Sequence, residues 1–401
     1  MVTLRGVAGI DVTLVRVKLY LMECVAILGR REEPVDGVRD YCCYLRDALA
    51  NEGVNLTLTQ VRWVEIGHKA SRQELLKAVD GRENAFFLLQ YTALSWSRRG
   101  FALSAVRILK LLKKNGSRCA VVFHDPDGYA GSRAVDRVRK AIQRYAMKRL
   151  VRLSDLAIFT LPRDKISWLP ADTQNFVFIP VGANLPAPER AWEEQRNSTA
   201  SKPVVAVFSL SDEPTLAKEV GQIAQAVSNA AKEVGPLEVV VLGRNSESGG
   251  AALRLALAGS GAEVRIVGLI SADEVVRVLG ASDVMLFARG PISSRRGSAI
   301  AGIACGLPVI AEAGWELAAP ITEAGVVVVP EELVPEGFGA ALARVLSDSS
   351  YRASLAQRSR NAQSKYFSWS VIARQYAQAM RRVGIPREST ALASERGAEH
   401  Y

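Results

Sequence analysis

Short apolar runs alternate with longer amphipathic segments along most of the chain. The run CVAIL, which begins at Cys24 and is followed by Gly29, is typical of them. Strands that alternate with helices in this way pair in parallel, and the helices cover the faces of the sheet. The predicted strands are Cys24–Leu28, Leu56–Val61, Phe86–Leu89, Cys119–Phe123, Leu156–Phe159, Phe176–Ile179, Val204–Phe208, Glu238–Leu242, Val264–Val267, Asp283–Phe287, Pro308–Ala311 and Val326–Val329.

A polar segment divides this pattern into two halves. Residues 181–202 are polar, contain prolines and show no regular periodicity, which is typical of a linker. The predicted fold class is therefore α/β, with two doubly wound Rossmann-like domains at 22–180 and 203–366. Arg16 and Lys18 interrupt the apolar run that precedes the first domain, so residues 1–21 are expected to form an extension outside the fold. Residues 385–401 are expected to form a disordered tail.

Composition narrows the class of protein. The chain has 401 residues, of which 49% are hydrophobic, and this is enough for two cores. The net charge of +10 favours anionic partners such as nucleotide diphosphates or acidic lipid surfaces. No nucleic-acid module is visible, so nucleic acid is not an expected partner. The five cysteines lie in apolar contexts without metal-binding spacing, which predicts buried free thiols in a reducing cytoplasm.

One loop carries several signals for binding an anion. The apolar run Asp283–Phe287 predicts a buried strand, and Gly297 and Ser298 then open a short apolar helix. Unpaired N–H groups at a helix start, together with the helix dipole, suit a phosphate group. Arg295 and Arg296 precede that start and add positive charge. These four residues are predicted to bind phosphate; in the alternative, Ser298 only caps the helix and the arginines are solvated.

The same region resembles a known enzyme family. ACGLPVIA, from Ala304, and the following AGWELAAPITEAGVVV are similar to the C-terminal half of the retaining glycosyltransferases of family 4, which have the two-domain GT-B fold. The resemblance covers most of residues 22–384. It implies a cleft between the domains and a closing helix at 367–384 that crosses back to the N-terminal domain. It also implies a nucleotide-diphosphate sugar as co-substrate, with no metal and no further cofactor.

The resemblance assigns several site residues. Glu316 aligns with the glutamate of the family's GGxxE region, and His124 aligns with the histidine of its VxxHD segment, which approaches the transferred sugar. Both are expected to be catalytic. Gly37 corresponds to a glycine that lies beside the donor diphosphate in the family. Arg244 is expected to approach the nucleotide, because the family's arginine and lysine after the first strand of the second domain are missing here.

The match departs from the family at three further positions. Aligned on ACG from Ala304, two glutamates of the family are replaced by Ser293 and Ala301. In the family the first lies near the transferred sugar and the second holds the ribose. Asp36 replaces a glycine beside Gly37 and brings negative charge towards the expected diphosphate. The arginines before Gly297 and the serine after it are the candidates to compensate for these losses.

Two strand ends in the first half carry candidates for binding the acceptor. Ligands of open α/β sheets bind at the carboxyl ends of the strands. Gln90 and Tyr91 directly follow one predicted strand, and Trp96 comes a few residues later. Amide groups form hydrogen bonds with hydroxyl groups, and aromatic faces stack on sugar rings. Asp125 follows the next strand. The alternatives are that the aromatic residues pack in the core and that the aspartate caps a turn.

Residues 131–152 form a basic amphipathic segment. They contain eight basic side chains and one acidic one, with apolar residues at helical spacing. Such helices bind anionic membrane surfaces, although a run of charges is as often a solvated face. No stretch approaches the ~20 apolar residues of a membrane span. The expected location is the cytoplasm, with peripheral attachment to the inner face of the membrane.

The sequence therefore predicts a glycosyltransferase that moves a sugar from a nucleotide-diphosphate donor to a hydroxyl group of a glycan or lipid-linked acceptor, with retained configuration, in the synthesis of cell-surface polysaccharide or glycolipid. A second hypothesis is a catalytically silent protein of the same fold that binds a sugar nucleotide or glycan, or supports a partner enzyme. A third is a sugar-nucleotide epimerase, which would need acid and base carboxylates; the candidates are Glu316, Asp36 and Asp125.

Overall fold

The computed structural model describes residues 22–32, 35–82, 84–128, 131, 133–187 and 202–384. These residues build two six-stranded sheets in which every strand pair is parallel. All the predicted strands are present, with bounds that agree with the prediction or differ from it by a residue or two. The predicted fold class, two doubly wound Rossmann-like domains, is confirmed. The expected extension at 1–21, the expected tail at 385–401 and most of the expected linker lie outside the described residues.

The N-terminal sheet has the strand order β2-β1-β3-β4-β5-β6. Its central strands are buried on both faces because helices cover both sides, which is why they read as continuous apolar runs without alternation. The elements of this half are β1 (Met22–Leu28), α1 (Gly37–Leu49), β2 (Val54–Gln60), α2 (Trp63–Val79), β3 (Phe86–Tyr91), α3 (Ala93–Trp96), α4 (Leu103–Lys114), β4 (Arg118–Phe123), α5 (Ala134–Leu153), β5 (Leu156–Phe159) and β6 (Phe176–Phe178).

The C-terminal sheet has the order β12-β11-β10-β7-β8-β9, so its chain also winds outward in both directions from a central strand. Ligand sites of such sheets lie at the carboxyl edge of the strands. The elements of this half are β7 (Val204–Phe208), α6 (Thr215–Val234), β8 (Leu237–Leu242), α7 (Ser246–Ala256), β9 (Ala262–Gly268), α8 (Ala272–Gly280), β10 (Val284–Phe287), α9 (Gly297–Ala304), β11 (Val309–Glu312), β12 (Val326–Val329), α10 (Glu336–Ser347), α11 (Ser349–Ala362) and α12 (Trp369–Gly384).

The last described helix, α12, packs against the N-terminal domain. Its apolar residues recur at helical spacing and lie in the same hydrophobic cluster as β1 and α1. The hydroxyl group of Tyr41 on α1 donates to that of Tyr376 on α12 at 2.9 Å, and both side chains are buried. The indole Nε1 of Trp369 donates to the carbonyl oxygen of Ala183 at 2.7 Å. These contacts hold the two domains with the carboxyl edges of their sheets around a common cleft.

The basic segment folds as the long helix α5. One side of it buries Met147 and Leu150 against the N-terminal sheet, whereas Val135, Val138 and Tyr145 are about half exposed. None of the helices in the described part of the chain combines the length and the apolar character that a membrane crossing requires.

The cysteines are free, as the sequence predicts. Burial raises the pKa of the Cys119 and Cys305 thiols to about 12. A thiol with so high a pKa carries almost no thiolate at neutral pH and is a poor nucleophile, so these residues serve packing.

Candidate functional site

Two connected cavities fill the cleft between the domains. The large cavity, of about 880 Å³, is lined on its N-terminal wall by residues that follow β1, β3 and β4 and on its C-terminal wall by residues that follow β10. The small cavity, of about 610 Å³, extends along the carboxyl edge of the C-terminal sheet as far as Leu269 and Ile270. The residues that line both cavities mark their junction; they are Glu32, Gly37, Asn184, Arg289, Arg295, Arg296 and Gly297.

The start of α9 faces this junction. Its N-terminal flank is Arg296, and no side chain caps the helix. Ser298 is the second helical residue and lines the small cavity, so the alternative in which Ser298 serves only as the N-cap is wrong. The first N–H groups of a helix have no partner within the helix. At α9 they therefore contribute positive potential to the junction.

Arg295 is held in an ion-pair network that the sequence did not predict. Its guanidinium donates to both carboxylate oxygens of Glu316, with N–O distances of 2.7 to 3.0 Å, and it lies 3.5 Å from a carboxylate oxygen of Asp125 across the cleft. Burial raises the pKa of the Glu316 carboxyl, but the hydrogen bonds and charge of Arg295 outweigh that effect and hold the pKa below its ordinary value. Both partners are therefore ionised. Arg295 thus already has carboxylate partners in the cleft, and its expected contact with a diphosphate stays a prediction.

Arg289 and Arg296 differ from Arg295 because no ion pair with a carboxylate of a described residue neutralises their charges. Burial lowers the pKa of Arg296, and the charges of Arg295 and Arg289 lower it further. Burial also lowers the pKa of Arg289. Neither forms an ion pair with a described residue. Mutual repulsion between buried cations is relieved by an anion, so the junction of the cavities is the most favourable place in the cleft for one. The sequence signal for Arg289 was its position directly after β10.

Gly37 begins α1 beside the same junction, but this helix start is occupied. The carboxylate of Asp36 accepts hydrogen bonds from the backbone N–H groups of Val38 and Arg39 at 3.1 and 3.0 Å. The carbonyl oxygen of Gly37 accepts a further bond from Asn184 at 2.8 Å. Asp36 is thus the N-cap of α1 and takes up the N–H groups that a phosphate would need.

Arg244 links the two domains at the edge of the small cavity. Its guanidinium donates to the carbonyl oxygen of Val35 at 2.8 Å and lies 3.9 Å from the carboxylate of Glu32. The structure places it beside the small cavity, as expected, and gives it an additional role in holding the N-terminal loop. Ala301, at the position of the family's ribose-binding glutamate, also lines this cavity. Ser293 is fully buried.

His124 lines the large cavity next to Asp125. Its Nε2 lies 2.8 Å from Oε1 of Gln90, an arrangement in which the histidine donates and the amide oxygen accepts. Burial lowers the pKa of His124 to about 4. At neutral pH the imidazole is therefore uncharged, with Nε2–H fixed by Gln90, and its Nδ1 is an acceptor for a hydroxyl group.

The expected acceptor residues need correction. Tyr91 and Trp96 are each 1% exposed and pack in the core of the N-terminal domain, where the indole of Trp96 donates to the carbonyl oxygen of Gln90. Gln90, also 1% exposed, orients His124 and does not face the cavity. Only Asp125 of the four lines the large cavity, and it lies beside Arg295.

Further residues of the N-terminal wall of the large cavity come from the segment that follows β3. The sequence analysis did not select them, although the two consecutive arginines among them were visible in the sequence. They include Thr92, Leu94, Arg98 and Arg99.

The carboxylates that an epimerase would need are engaged. Asp36 caps α1, and Glu316 and Asp125 flank Arg295. A carboxylate that is ion-paired or hydrogen-bonded in its ionised form is a weak proton acceptor. Glu316 is therefore a weak proton acceptor and Asp36 is committed to the helix cap, whereas burial raises the pKa of the Asp125 carboxyl despite the charge of Arg295.

Comparisons with known proteins agree with this architecture. Residues 203–348 match the family model "Glycosyl transferases group 1". Comparison of the sequence with curated proteins gives no match. The chain is similar in structure to the sucrose-phosphate synthase of Thermosynechococcus elongatus, with 16% identity, a TM-score of 0.64 and coverage of 90% of this chain and 99% of that one.

Two further solved structures share the fold at similar coverage. Alr3699/HepE of Anabaena, solved with UDP and glucose, has 14% identity and a TM-score of 0.62 over 90% of this chain and 100% of its own. A Listeria monocytogenes protein assigned as a UDP-N-acetylglucosamine 2-epimerase has 10% identity and a TM-score of 0.59 over 90% of this chain and 96% of its own. At such identities the likeness shows the fold alone. The chain thus has the GT-B fold, and its C-terminal domain matches the group 1 glycosyl transferases.

Proposed function

We propose that this protein is a glycosyltransferase that moves a sugar from a nucleotide-diphosphate donor to an acceptor hydroxyl group. The observation that carries the proposal is the junction of the two cavities, where Arg289, Arg296 and the uncapped start of α9 meet. The diphosphate binds there. The base lies in the small cavity beside Leu269 and Ile270, and the sugar extends into the large cavity towards His124. The family match of the C-terminal domain and the nucleotide bound to HepE support binding of a nucleotide sugar.

The chemistry follows from the charges at the junction. When the bond between sugar and diphosphate breaks, negative charge develops on the leaving phosphate, and preorganised cations and N–H groups stabilise it in the transition state. His124 is neutral and accepts a hydrogen bond from a sugar hydroxyl group, which orients the ring. Retention of configuration is proposed from the resemblance to family 4, and a hexose is proposed as the transferred sugar.

Nucleotide binding is the first test of the proposal. Calorimetric titration with UDP, GDP, ADP and dTDP should identify one base that binds, and the corresponding nucleotide sugars should then release that nucleotide when an acceptor is present. Nuclear magnetic resonance of the product gives the anomeric configuration. Failure of all four nucleotides to bind would refute the proposal.

One observation favours a catalytically silent protein. Glu316, the one retained carboxylate of the family, is neutralised by Arg295, and Ser293 and Ala301 replace the other two. A silent protein would bind the nucleotide and release no sugar with any acceptor. The same titration and product assay therefore separate the two functions.

We further propose that α5 attaches the protein to an anionic membrane surface, as expected for synthesis of polysaccharide or glycolipid. The helix exposes Val135, Val138 and Tyr145 among its basic residues. Each basic residue near such a surface contributes on the order of 1 kcal/mol. Replacing Arg137, Lys140, Arg144 and Lys148 with glutamine should abolish flotation with phosphatidylglycerol vesicles.

A matched control replaces four exposed basic residues outside α5, on the neighbouring helix α4 and at the start of β4. Glutamine at these positions should leave flotation intact; equal loss in both variants would mean that net charge, and not α5, binds the membrane. The control residues are Arg107, Lys110, Lys114 and Arg118.

A further inference from the structure

The large cavity holds more positive charge than the proposed donor can match. Four arginines that line it form no ion pair with a described residue. Arg289 and Arg296 lie on the C-terminal wall, and Arg98 and Arg99 lie on the N-terminal wall. The neutral His124 adds no charge between them.

A nucleotide-diphosphate sugar supplies about two negative charges, one on each phosphoryl group. In the proposed function these face Arg289 and Arg296 at the start of α9. The remaining lining arginines of the cavity, Arg295 and Arg139, are paired with Glu316 and Asp136 respectively. Arg98 and Arg99 are then left without an anion on the opposite wall, where the acceptor enters.

The loop that carries these two arginines is firmly anchored. On one side it follows the buried Trp96, and on the other Gly100 accepts a hydrogen bond from Nε2 of Gln143 on α5 at 2.8 Å. Its own turn is closed by the bond from Gly100 N–H to the carbonyl oxygen of Ser97 at 3.0 Å. Gly100 has a φ of 75°, a conformation that favours glycine. The backbone thus presents both arginines at a fixed place in the cavity wall.

We propose that Arg98 and Arg99 bind a phosphate group carried by the acceptor. This inference rests on the proposed function, because it assigns the opposite wall to the donor. A phosphomonoester carries about −1.5 to −2 charges at neutral pH, and arginine binds phosphate through charge-assisted, often bidentate hydrogen bonds. Two neighbouring guanidinium groups match that charge.

The same chemistry has two possible sources. One is a soluble sugar phosphate, and the other is a phosphate attached to a lipid. Leu94, which is 51% exposed and lines the same cavity, together with the exposed apolar residues of α5, provides contacts for a lipid chain. A soluble acceptor would not use them.

Calorimetric titrations of the full chain, with the donor site saturated by UDP, test the inference. One arm compares glucose 6-phosphate with glucose. The other arm compares phosphatidylcholine vesicles that contain polyprenyl phosphate with vesicles that contain an equal charge of phosphatidylglycerol. The wild type is expected to prefer the phosphate ester in at least one arm, and that arm identifies the source. Preference for neither phosphate ester overturns the inference.

Substitutions then locate the binding site. The double variant Arg98→Gln and Arg99→Gln should lose roughly 10-fold to 100-fold in affinity for the preferred phosphate ester, whereas Arg118→Gln, at the far end of β4, should bind like the wild type. Both arginines of the double variant are exposed, so its thermal unfolding should be unchanged. Equal binding by the double variant and the wild type refutes the site.

A third variant separates this inference from the proposed function. The double variant Arg289→Gln and Arg296→Gln should no longer bind UDP and should bind the phosphate ester like the wild type. If the phosphate ester is lost as well, it occupies the donor site and the inference is wrong. If none of UDP, GDP, ADP and dTDP binds the wild type but binding of the ester still depends on Arg98 and Arg99, the proposed donor site fails while the phosphate site stands.

Discussion

Helices α1 and α9 begin with glycine at the same cleft, yet their starts have opposite electrostatic character. Gly37 of α1 is preceded by Asp36, whose carboxylate caps the helix. Gly297 of α9 is preceded by Arg296 and has no side-chain cap. The helix dipole places about half a positive charge at either start. The aspartate outweighs that charge at α1, whereas the arginine adds to it at α9.

The comparison teaches that a glycine at a helix start does not make an anion site by itself. The residue before the glycine decides whether the N–H groups stay available. In the proposed function the diphosphate binds at the C-terminal wall, where the N–H groups of α9 have no side-chain cap, whereas Asp36 already accepts hydrogen bonds from the N–H groups of Val38 and Arg39 beside Gly37. Both features were visible in the sequence as Asp-Gly and Arg-Gly pairs.

The largest expected effect concerns the open helix start. Replacing Arg289 and Arg296 with glutamine removes two charge-assisted contacts, each of roughly 1.5 to 3 kcal/mol, so nucleotide affinity should fall by about 100-fold or more. Calorimetric titration measures it. Arg254→Gln, an exposed arginine on α7, is the control and should bind normally. Equal affinity in the double variant and the wild type would show that the diphosphate lies elsewhere.

A second prediction concerns the arginine next to that helix start. Glu316→Gln leaves the buried guanidinium of Arg295 with only the longer contact to Asp125, and the free energy of unfolding should fall by about 2 to 3 kcal/mol. Nucleotide affinity should stay the same or rise, because the Glu316 carboxylate no longer neutralises the guanidinium of Arg295. Urea unfolding measures the first effect. Glu323→Gln breaks an exposed ion pair with Lys365 and should leave stability almost unchanged. Similar stability of both variants would contradict the buried network.

A third prediction uses the pKa of His124. Its folded value of about 4 lies below the usual 6.5, so between these values the unfolded chain binds a proton that the folded chain does not. Acidification through this window lowers stability, and between pH 7 and pH 5 the contribution is about 2 kcal/mol. His124→Gln should lose that part of the pH dependence in urea unfolding. An unchanged pH dependence would mean that His124 titrates normally.

The smallest effect is expected at the closed helix start. Asp36→Ala should cost about 1 kcal/mol of stability because the N-cap is lost, whereas Asp36→Asn should keep the cap. Either change removes a negative charge from the cleft, so nucleotide affinity should rise by about twofold. Thermal unfolding and calorimetric titration measure the two quantities. A fall in affinity in the asparagine variant would mean that Asp36 takes part in binding.

The fold was predictable because burial on both faces makes most of the strands uninterrupted apolar runs. Strands such as Leu156–Phe159 and Val326–Val329 have the same bounds in the sequence pattern and in the structure. The closing helix was recognised from its sequence, and the structure shows its apolar residues packed against α1. The strand bounds depend on local periodicity, which a single sequence contains, whereas the closing helix was expected from the resemblance to family 4.

The candidate site was predictable only in part, because the direction of a side chain depends on tertiary contacts. Tyr91 and Trp96 looked suited to stacking on a sugar, but β3 is buried along its full length and their rings fill the core. Arg295 and Arg296 are adjacent in sequence and both line the junction of the cavities, yet Arg295 binds Glu316 across 21 residues of chain and Arg296 forms no ion pair with a described residue. No local pattern distinguishes them.

A crystal structure of the chain with UDP tests the central claim most directly. The account predicts that the diphosphate contacts Arg289, Arg296 and the N–H groups at the start of α9, while Asp36 still caps α1 and Arg295 still binds Glu316. A diphosphate bound at the start of α1 with the Asp36 carboxylate displaced, or one that leaves Arg289 and Arg296 without a contact, would contradict it.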